Sequence, residues 1–346
     1  MFPTMKKVTV CLVLAAIAGF CVLAQSPSRT VIRLDPALDE IIDTTAKADL
    51  LKGDYFGFLE GPVWVQTGAT GYLLFSDVPA NAIYKWTSSG ELSVFLARAG
   101  FTGTDLSRAG SLYFNGRFYL VELGPVGIML DRQGRVVFTA HGDRAIVRLE
   151  KDGTRTVLAN RYQGKRLNSP NDLVGKSDGA IYFTDPPGGL RELAKSPDKE
   201  LPYSGVFLWK DGKLSLLDQF QTFPNGIAVS ADEKYLYVND SQTKKIMRYE
   251  IKPDDTAANG RVFVDMTGDS APGVPDGMKV DQKGNVYCTG PGGVWIMSSA
   301  GKHLGTIHLP VTAANFAFGD ADSKTIYFTA GTSLYRIRTK IPGVRP

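Results

Sequence analysis

Histidine and cysteine are scarce, with three of each in 346 residues. Cys11 and Cys21 fall in an N-terminal apolar run, so Cys288 stands alone in the remainder of the chain. A single thiol cannot close an internal disulfide, and no Cys pair has zinc-finger spacing, which excludes a disulfide scaffold and a Cys-based zinc site. The one Gly-x-Ser-x-Gly spacing, Gly175–Gly179, falls on the turn Ser177-Asp178-Gly179 between two β runs rather than on a strand-to-helix elbow, and the chain lacks a Gly-x-x-x-x-Gly-Lys phosphate loop and a zinc-protease motif. These features argue against a serine-triad hydrolase, a nucleotide-phosphate enzyme and a zincin. Charge of one sign is missing too. Lys+Arg 39 against Asp+Glu 35 gives +4, and without a basic block nucleic acid is a poor partner. No strongly helical stretch follows residue 52, whereas Gly 37 and Pro 19 supply the turns an all-β chain needs.

The first residues read separately. Lys6 and Lys7 precede the uncharged apolar run Val8–Val22, and Val22-Leu23-Ala24 ends in a small residue before Gln25. This order is that of a secretory signal, shorter than a comfortable membrane span, with cleavage expected near Ala24. The expected mature chain is exported, periplasmic or secreted, and free of the membrane. An uncleaved anchor is the alternative. A lipoprotein acylated at Cys21 is the weaker choice because bulky Phe20 precedes it. Residues 25–52 form a lead-in, with spaced apolar positions in Pro36–Lys52 reading as one short helix.

From residue 53 onward the chain repeats. An aromatic or β-branched strand ending in a small polar pair occurs as Leu74-Phe75-Ser76-Asp77, Val137-Phe138-Thr139-Ala140, Tyr182-Phe183-Thr184-Asp185 and Tyr237-Val238-Asn239-Asp240. It returns as Tyr287-Cys288-Thr289-Gly290 and Tyr327-Phe328-Thr329-Ala330. Six copies at a period of roughly fifty residues fit four-stranded propeller blades. The expected fold is therefore all-β, a six-bladed β-propeller over residues 53–346 around a central channel. The last blade supplies three strands before the chain ends, and Thr30–Leu34 is the expected fourth, closing the ring and covering an edge.

A second repeat carries chemistry. Pro170-Asn171-Asp172-Leu173, Pro224-Asn225-Gly226-Ile227 and Pro275-Asp276-Gly277-Met278 recur in blade register, and Glu60-Gly61-Pro62-Val63 opens the first blade in the same place. Each such dipeptide alone is an ordinary turn. Repetition at the blade period instead puts the four residues on channel-lining strands. Glu60, Asn171, Asn225 and Asp276 offer two carboxylates and two amide oxygens. These hard donors, with a net charge that balances a divalent ion, suit Ca2+ first, then Mg2+ or Mn2+, better than Zn2+.

The motifs Glu60–Trp64, Asn168–Leu173, Tyr182–Pro187, Phe223–Ile227, Pro275–Gly277 and Ala330–Ile337 together resemble the SMP-30/gluconolactonase/LRE (regucalcin-like) family, over about residues 55–346. The resemblance implies a six-bladed propeller, one central divalent cation held by Glu60, Asn171, Asn225 and Asp276, and lactone hydrolysis with Asp276 as acid/base. The expected reaction is opening of a small-molecule lactone to its hydroxy acid. The cation polarises the carbonyl and an activated water attacks it; a nucleophilic Asp276 is the competing version.

Other candidates are secondary. Asn168, with Asn171, is a candidate contact for substrate hydroxyls. His141 is a candidate proton shuttle at the channel mouth or a hydrogen-bonded turn residue. Asp172 is expected to support its neighbour Asn171 from behind or to bind backbone amides, and Asp240 and Ser241 in blade four to do likewise. Trp64 and Phe75 read as core. Two departures from the family pattern bear on sugar recognition. Val126-Gly127-Ile128 opens blade two without a polar residue, and Ser169 stands where some relatives have Arg. Ala97–Gly127 is long and aromatic enough for a lid or an extra hairpin. The rivals are a phosphotriesterase-like or other ester hydrolase on the same site, a non-catalytic propeller with a structural ion, and synthase or isomerase chemistry in the same pocket.

Overall fold

The computed structural model describes residues 29–107, 110–114 and 118–345. The signal-like segment lies outside the described residues. Among those described, no helix is long and apolar enough to cross a membrane.

Six antiparallel sheets, each with four consecutively paired strands at its core, form the blades of a β-propeller. Their innermost strands are Leu59–Thr67, Pro125–Leu130, Leu173–Gly175, Pro224–Val229, Met278–Val280 and Asn315–Gly319. Each packs against its two neighbours, and the last returns to the first, which closes the ring. The apolar alternation along each blade buries a hydrophobic cluster at every blade–blade interface. Leu74, Ile83, Ile128 and Phe138 fill the one between blades one and two. Met129, Val137, Phe183 and Phe207 fill the next. Trp64 stacks on Tyr327 between blades six and one, with ring centroids 5.4 Å apart, and Phe75 is fully buried beside them.

The lead-in differs from the sequence reading. Pro36–Glu40 is a single 3-10 turn capped by Asp35, whose side chain accepts from the Ala37 N–H. Its apolar residues Leu38, Ile41 and Ile42 are buried against blades five and six. The helix stops there because Asp43 turns the chain, accepting from both the amide and the hydroxyl of Thr45. The segment Asp49–Lys52 is extended and pairs with Ser333–Arg338, so it is this strand that completes blade six. Val31–Arg33, within the expected ring-closing piece, pairs instead with His303–Ile307 and adds a fifth strand to blade five. The long stretch after blade one contains an added hairpin, Gly110–Phe114 with Phe118–Glu122. Its base is tied to the loop after Asp185 by Gly110 N–H donating to Gly189 O at 2.9 Å.

The Asn-Gly and Asp-Gly units are not turns. Asn225 and Gly226 lie within a strand, and Glu60 and Gly61 do likewise. Glycine is required there because the next blade's backbone comes too close for a side chain. A Cβ on Gly226 would sit 1.9 Å from the Asp276 carbonyl oxygen, and one on Gly61 would sit 1.8 Å from the Val126 carbonyl oxygen. Blades are also stitched by their second strands. The Ser76 hydroxyl donates to Val126 O at 2.9 Å, Thr139 to Asn171 O at 2.7 Å, and Thr184 to Asn225 O at 2.7 Å. In blade four the Asn239 amide does the same to Asp276 O. The recurrent polar pair at the strand end thus grips the residue that opens the following blade.

The second member of that pair caps loops. Asp77 accepts from the Gly57 and Ala80 amides, and Asp240 from those of Thr222, Phe223, Gln242 and Thr243. Asp185 accepts from the Asn168 N–H, but its Oδ1 is buried without a hydrogen bond. Burial, opposed by the Asn168 and Ser169 amides and the charge of Arg144, pushes this carboxyl up to about 7.

Two outcomes are expected. Gly226→Ala should destabilise the fold by about 1–3 kcal/mol or more in urea unfolding, whereas Gly268→Ala, with nothing within 4 Å, should stay within about 0.5 kcal/mol. Because the folded-state pKa of Asp185 is raised, its contribution to stability is fully present below pH 3.8 and lost as pH rises through about 7. Urea midpoints across that window should therefore fall more steeply for wild type than for Asp185→Asn.

Candidate functional site

The residues that open the inner strands meet at one end of the channel. Glu60 is 4% exposed, and its Oε2 accepts from its neighbour Gly61 N–H at 3.1 Å and from Asn315 Nδ2 at 3.3 Å. Asn225 donates from Nδ2 to Ser241 Oγ at 3.0 Å, and that hydroxyl in turn donates to Pro275 O. This fixes the amide with Oδ1 turned the other way, where it is buried and has no hydrogen-bond partner. Asp276 Oδ1 is likewise buried and unpartnered. Asn171 is half-buried. Its backbone is held firmly, the carbonyl accepting from Thr139 Oγ and Gly127 N, and the N–H donating to Thr184 O.

The electrostatics show which groups share a field. Burial pushes Glu60 up to about 7, with the Asp172 charge adding to the rise and Lys279 opposing it. Burial also holds Asp276 well above the usual carboxylate range, followed by the charges of Glu60 and Asp172, while Lys279 and the Asn225 side chain oppose. Glu60, Asp172, Asn225 and Asp276 therefore converge, although they come from blades one, three, four and five. Buried carboxylates crowded beside unpaired amide oxygens are costly without a counter-charge. The donor set fits a hard cation: Glu60, Asn225 and Asp276 bring oxygens into one shared field. Among the described residues no group of three or more His, Cys, Asp and Glu is gathered for a metal. Any cation here must rely on amide oxygens as well.

Asp172 lies closer to the channel than its supporting role implied. It is 3% exposed, its Oδ1 accepts from Leu173 N–H, and its Oδ2, buried without a hydrogen bond, faces the Lys279 ammonium at 3.9 Å. Asp240, in contrast, is spent on loop capping, and Ser241 beside it is the residue that supports Asn225. Asn168 is fully buried, with Nδ2 donating to the carbonyls of Asp185 and Tyr203 and Oδ1 left without a hydrogen bond. His141 is 2% exposed, with Nδ1 donating to Pro170 O at 3.0 Å and the ring edge packed against Gly189. It holds the segment that carries Asn171 and is not poised at the mouth as a shuttle. Ser169, fully buried, ties Pro186 O and Gly189 N through its hydroxyl.

Two channel residues escaped the sequence reading, Lys279 and Asn315. Lys279 is a lone charge between apolar Met278 and Val280 on an inner strand, which is the signal that could have found it. Asn315 opens blade six in the register of Asp172, but carries no Pro before it. Beyond Lys279 the channel widens into a cavity of about 610 Å³ at the opposite end, walled mainly by apolar side chains such as Val63, Ile128, Ile227 and Phe318.

Comparison with known proteins accords with this geometry. A gluconolactonase of Zymomonas mobilis is 35% identical over 323 residues, covering 90% of this chain and 87% of that protein. The crystal structure of a gluconolactonase from Xanthomonas campestris superposes with a TM-score of 0.73 at 31% identity, covering 89% of this chain and 94% of that one. The diisopropyl-fluorophosphatase of Loligo vulgaris is 27% identical over 168 residues, 47% of this chain and 53% of that enzyme. Residues 58–332 match the SMP-30/Gluconolactonase/LRE-like region, and with that match over most of its length the chain belongs to this family.

Proposed function

We propose that this chain is a lactonase that opens a small sugar-type lactone, using one divalent cation, Ca2+ first, held by Glu60, Asn171, Asn225 and Asp276. The observation that carries the cation is the pair of buried, unpartnered oxygens, Asn225 Oδ1 and Asp276 Oδ1, beside Glu60. A cation bound there would polarise the lactone carbonyl as a Lewis acid. The chain's own contributions are positional and protonic. Asn171, whose backbone is pinned by Thr139 and Gly127, would orient substrate oxygens through its amide. Asp276 in its carboxylate form takes a proton from water as that water's oxygen bonds to the carbonyl carbon. The ring C–O bond then breaks, and the proton passes to the departing oxygen to leave the hydroxy acid. The apolar opening of blade two, where Val126 is buried, offers no side-chain partner for hydroxyls on that side. Substrate discrimination therefore falls to the other blades.

The half-length similarity to a fluorophosphatase favours phosphotriester hydrolysis as the second reading. Export of the chain is also part of the proposal, carried by the Lys6-Lys7 and Val8–Val22 pattern.

Initial rates on sugar lactones, aliphatic lactones and phosphotriesters, with chelator and after add-back of Ca2+, Mg2+, Mn2+ and Zn2+, test the proposal. Sugar-lactone turnover should vanish with chelator and return with Ca2+; turnover indifferent to chelator would contradict it. Asp276→Asn should keep its fold and its cation yet lose about 10²–10⁴-fold in kcat. A protein that melts in a metal-dependent way without any turnover would instead be the structural-ion propeller.

A further inference from the structure

Blades three and six face one another across the channel, and they alone break the glycine rule. Where blades one, two, four and five have Gly61, Gly127, Gly226 and Gly277, blade three has Asp172 and blade six has Asn315. Both side chains adopt the same pose. Asp172 Oδ1 accepts from Leu173 N–H at 2.9 Å, and Asn315 Oδ1 from Phe316 N–H at 2.9 Å. From blade five, Lys279 reaches between them. Its Nζ is 3.3 Å from Asn315 Oδ1, 3.9 Å from Asp172 Oδ2, and 5.8 Å from the centre of the Phe316 ring. Two donors on Asn315 Oδ1 leave its Nδ2 to face Glu60 Oε2. These three residues form a layer on the channel axis directly beneath the proposed ligands.

The layer changes the charge of the site. The four proposed ligands alone carry −2, and Asp172 makes the cluster −3. Lys279 opposes the burial-driven rise of Glu60, Asp172 and Asp276 alike, so its charge reaches all three carboxylates. It returns the cluster to −2. Its side chain is 29% exposed and also lines the far cavity.

We propose that Lys279 is a built-in axial cation that, bridging Asp172 and Asn315 across the channel, sets the net charge of the ion site at −2 and so matches it to a divalent rather than a trivalent ion. Lys279 is a positioning residue, with no contact to the reacting atoms. The inference rests on the cation reading of the proposed function. A fixed −3 field favours a trivalent ion over a divalent one by an extra unit of charge, and the Coulomb term is large at these separations in a half-buried site. The ratio of two affinities measured in one variant also cancels any loss of Glu60 alignment common to both ions.

The test is calorimetric titration of the full chain with CaCl2 and with LaCl3, for wild type, Lys279→Gln, Lys279→Met and Lys279→Arg. Gln keeps a donor for Asn315 without the charge, Met removes both, and Arg keeps the charge. The preference for La3+ over Ca2+ should rise at least about fivefold in the Gln and Met variants and stay near wild type in Arg. In chelator, both neutral variants should melt below wild type and Arg. An unchanged La3+/Ca2+ ratio in a neutral variant that folds and binds Ca2+ overturns the inference while leaving the cation reading intact. Wild type that binds neither ion overturns the cation reading, and this inference with it.

Discussion

The site exists because each blade grips the next. A hydroxyl or amide at the end of one blade's second strand donates to the carbonyl of the residue that opens the following blade: Thr139 to Asn171, Thr184 to Asn225, Asn239 to Asp276. Those carbonyls belong to the proposed ligands. Backbone bonds therefore set the direction in which Asn171, Asn225 and Asp276 point before any ion arrives. The glycines beside Glu60 and Asn225 serve the same contact, since a Cβ at Gly61 would overlap the Val126 carbonyl and one at Gly226 the Asp276 carbonyl. At four of the six interfaces such a bond ties one blade to the next and aims the chemistry.

This coupling explains why the polar atoms at the axis can be left unsatisfied. Side chains in a loosely held loop would turn buried oxygens toward any nearby donor. Here Ser241 fixes the Asn225 amide, the backbone on both sides is strand, and Asn225 Oδ1 and Asp276 Oδ1 stay without partners. The field that results, with Glu60 held near 7 by burial and by Asp172, disfavours ionised carboxylates until a positive charge compensates them.

Much of this was legible in the chain because a propeller writes its geometry as a period. Glu60, Asn225 and Asp276 were found by register, and the second-strand repeat located the donors as well as the blades. What was missed had no repeat to reveal it. Lys279 and Asn315 each occur once, and their importance comes from blades five and six lying against a residue of blade three, which sequence order does not convey. For Asn168, His141 and Asp240 the sequence left two readings open, and burial separates them: His141 is the hydrogen-bonded turn residue, Asp240 binds backbone amides, and Asn168 donates to two loop carbonyls. The lead-in misled through its spacing: Leu38, Ile41 and Ile42 fit a helical face, yet Asp43 ends the turn, and Asp49–Lys52 then takes the ring-closing place expected of Thr30–Leu34.

The central claim is that oxygens from four distant segments grip one ion on the channel axis. Its most direct test is a crystal structure grown with Mn2+ and read by anomalous scattering. The expected result is one peak on the axis, with Glu60, Asn171, Asn225 and Asp276 oxygens as its ligands at about 2.1–2.6 Å. A channel with no peak, or a peak held by surface carboxylates alone, would contradict it.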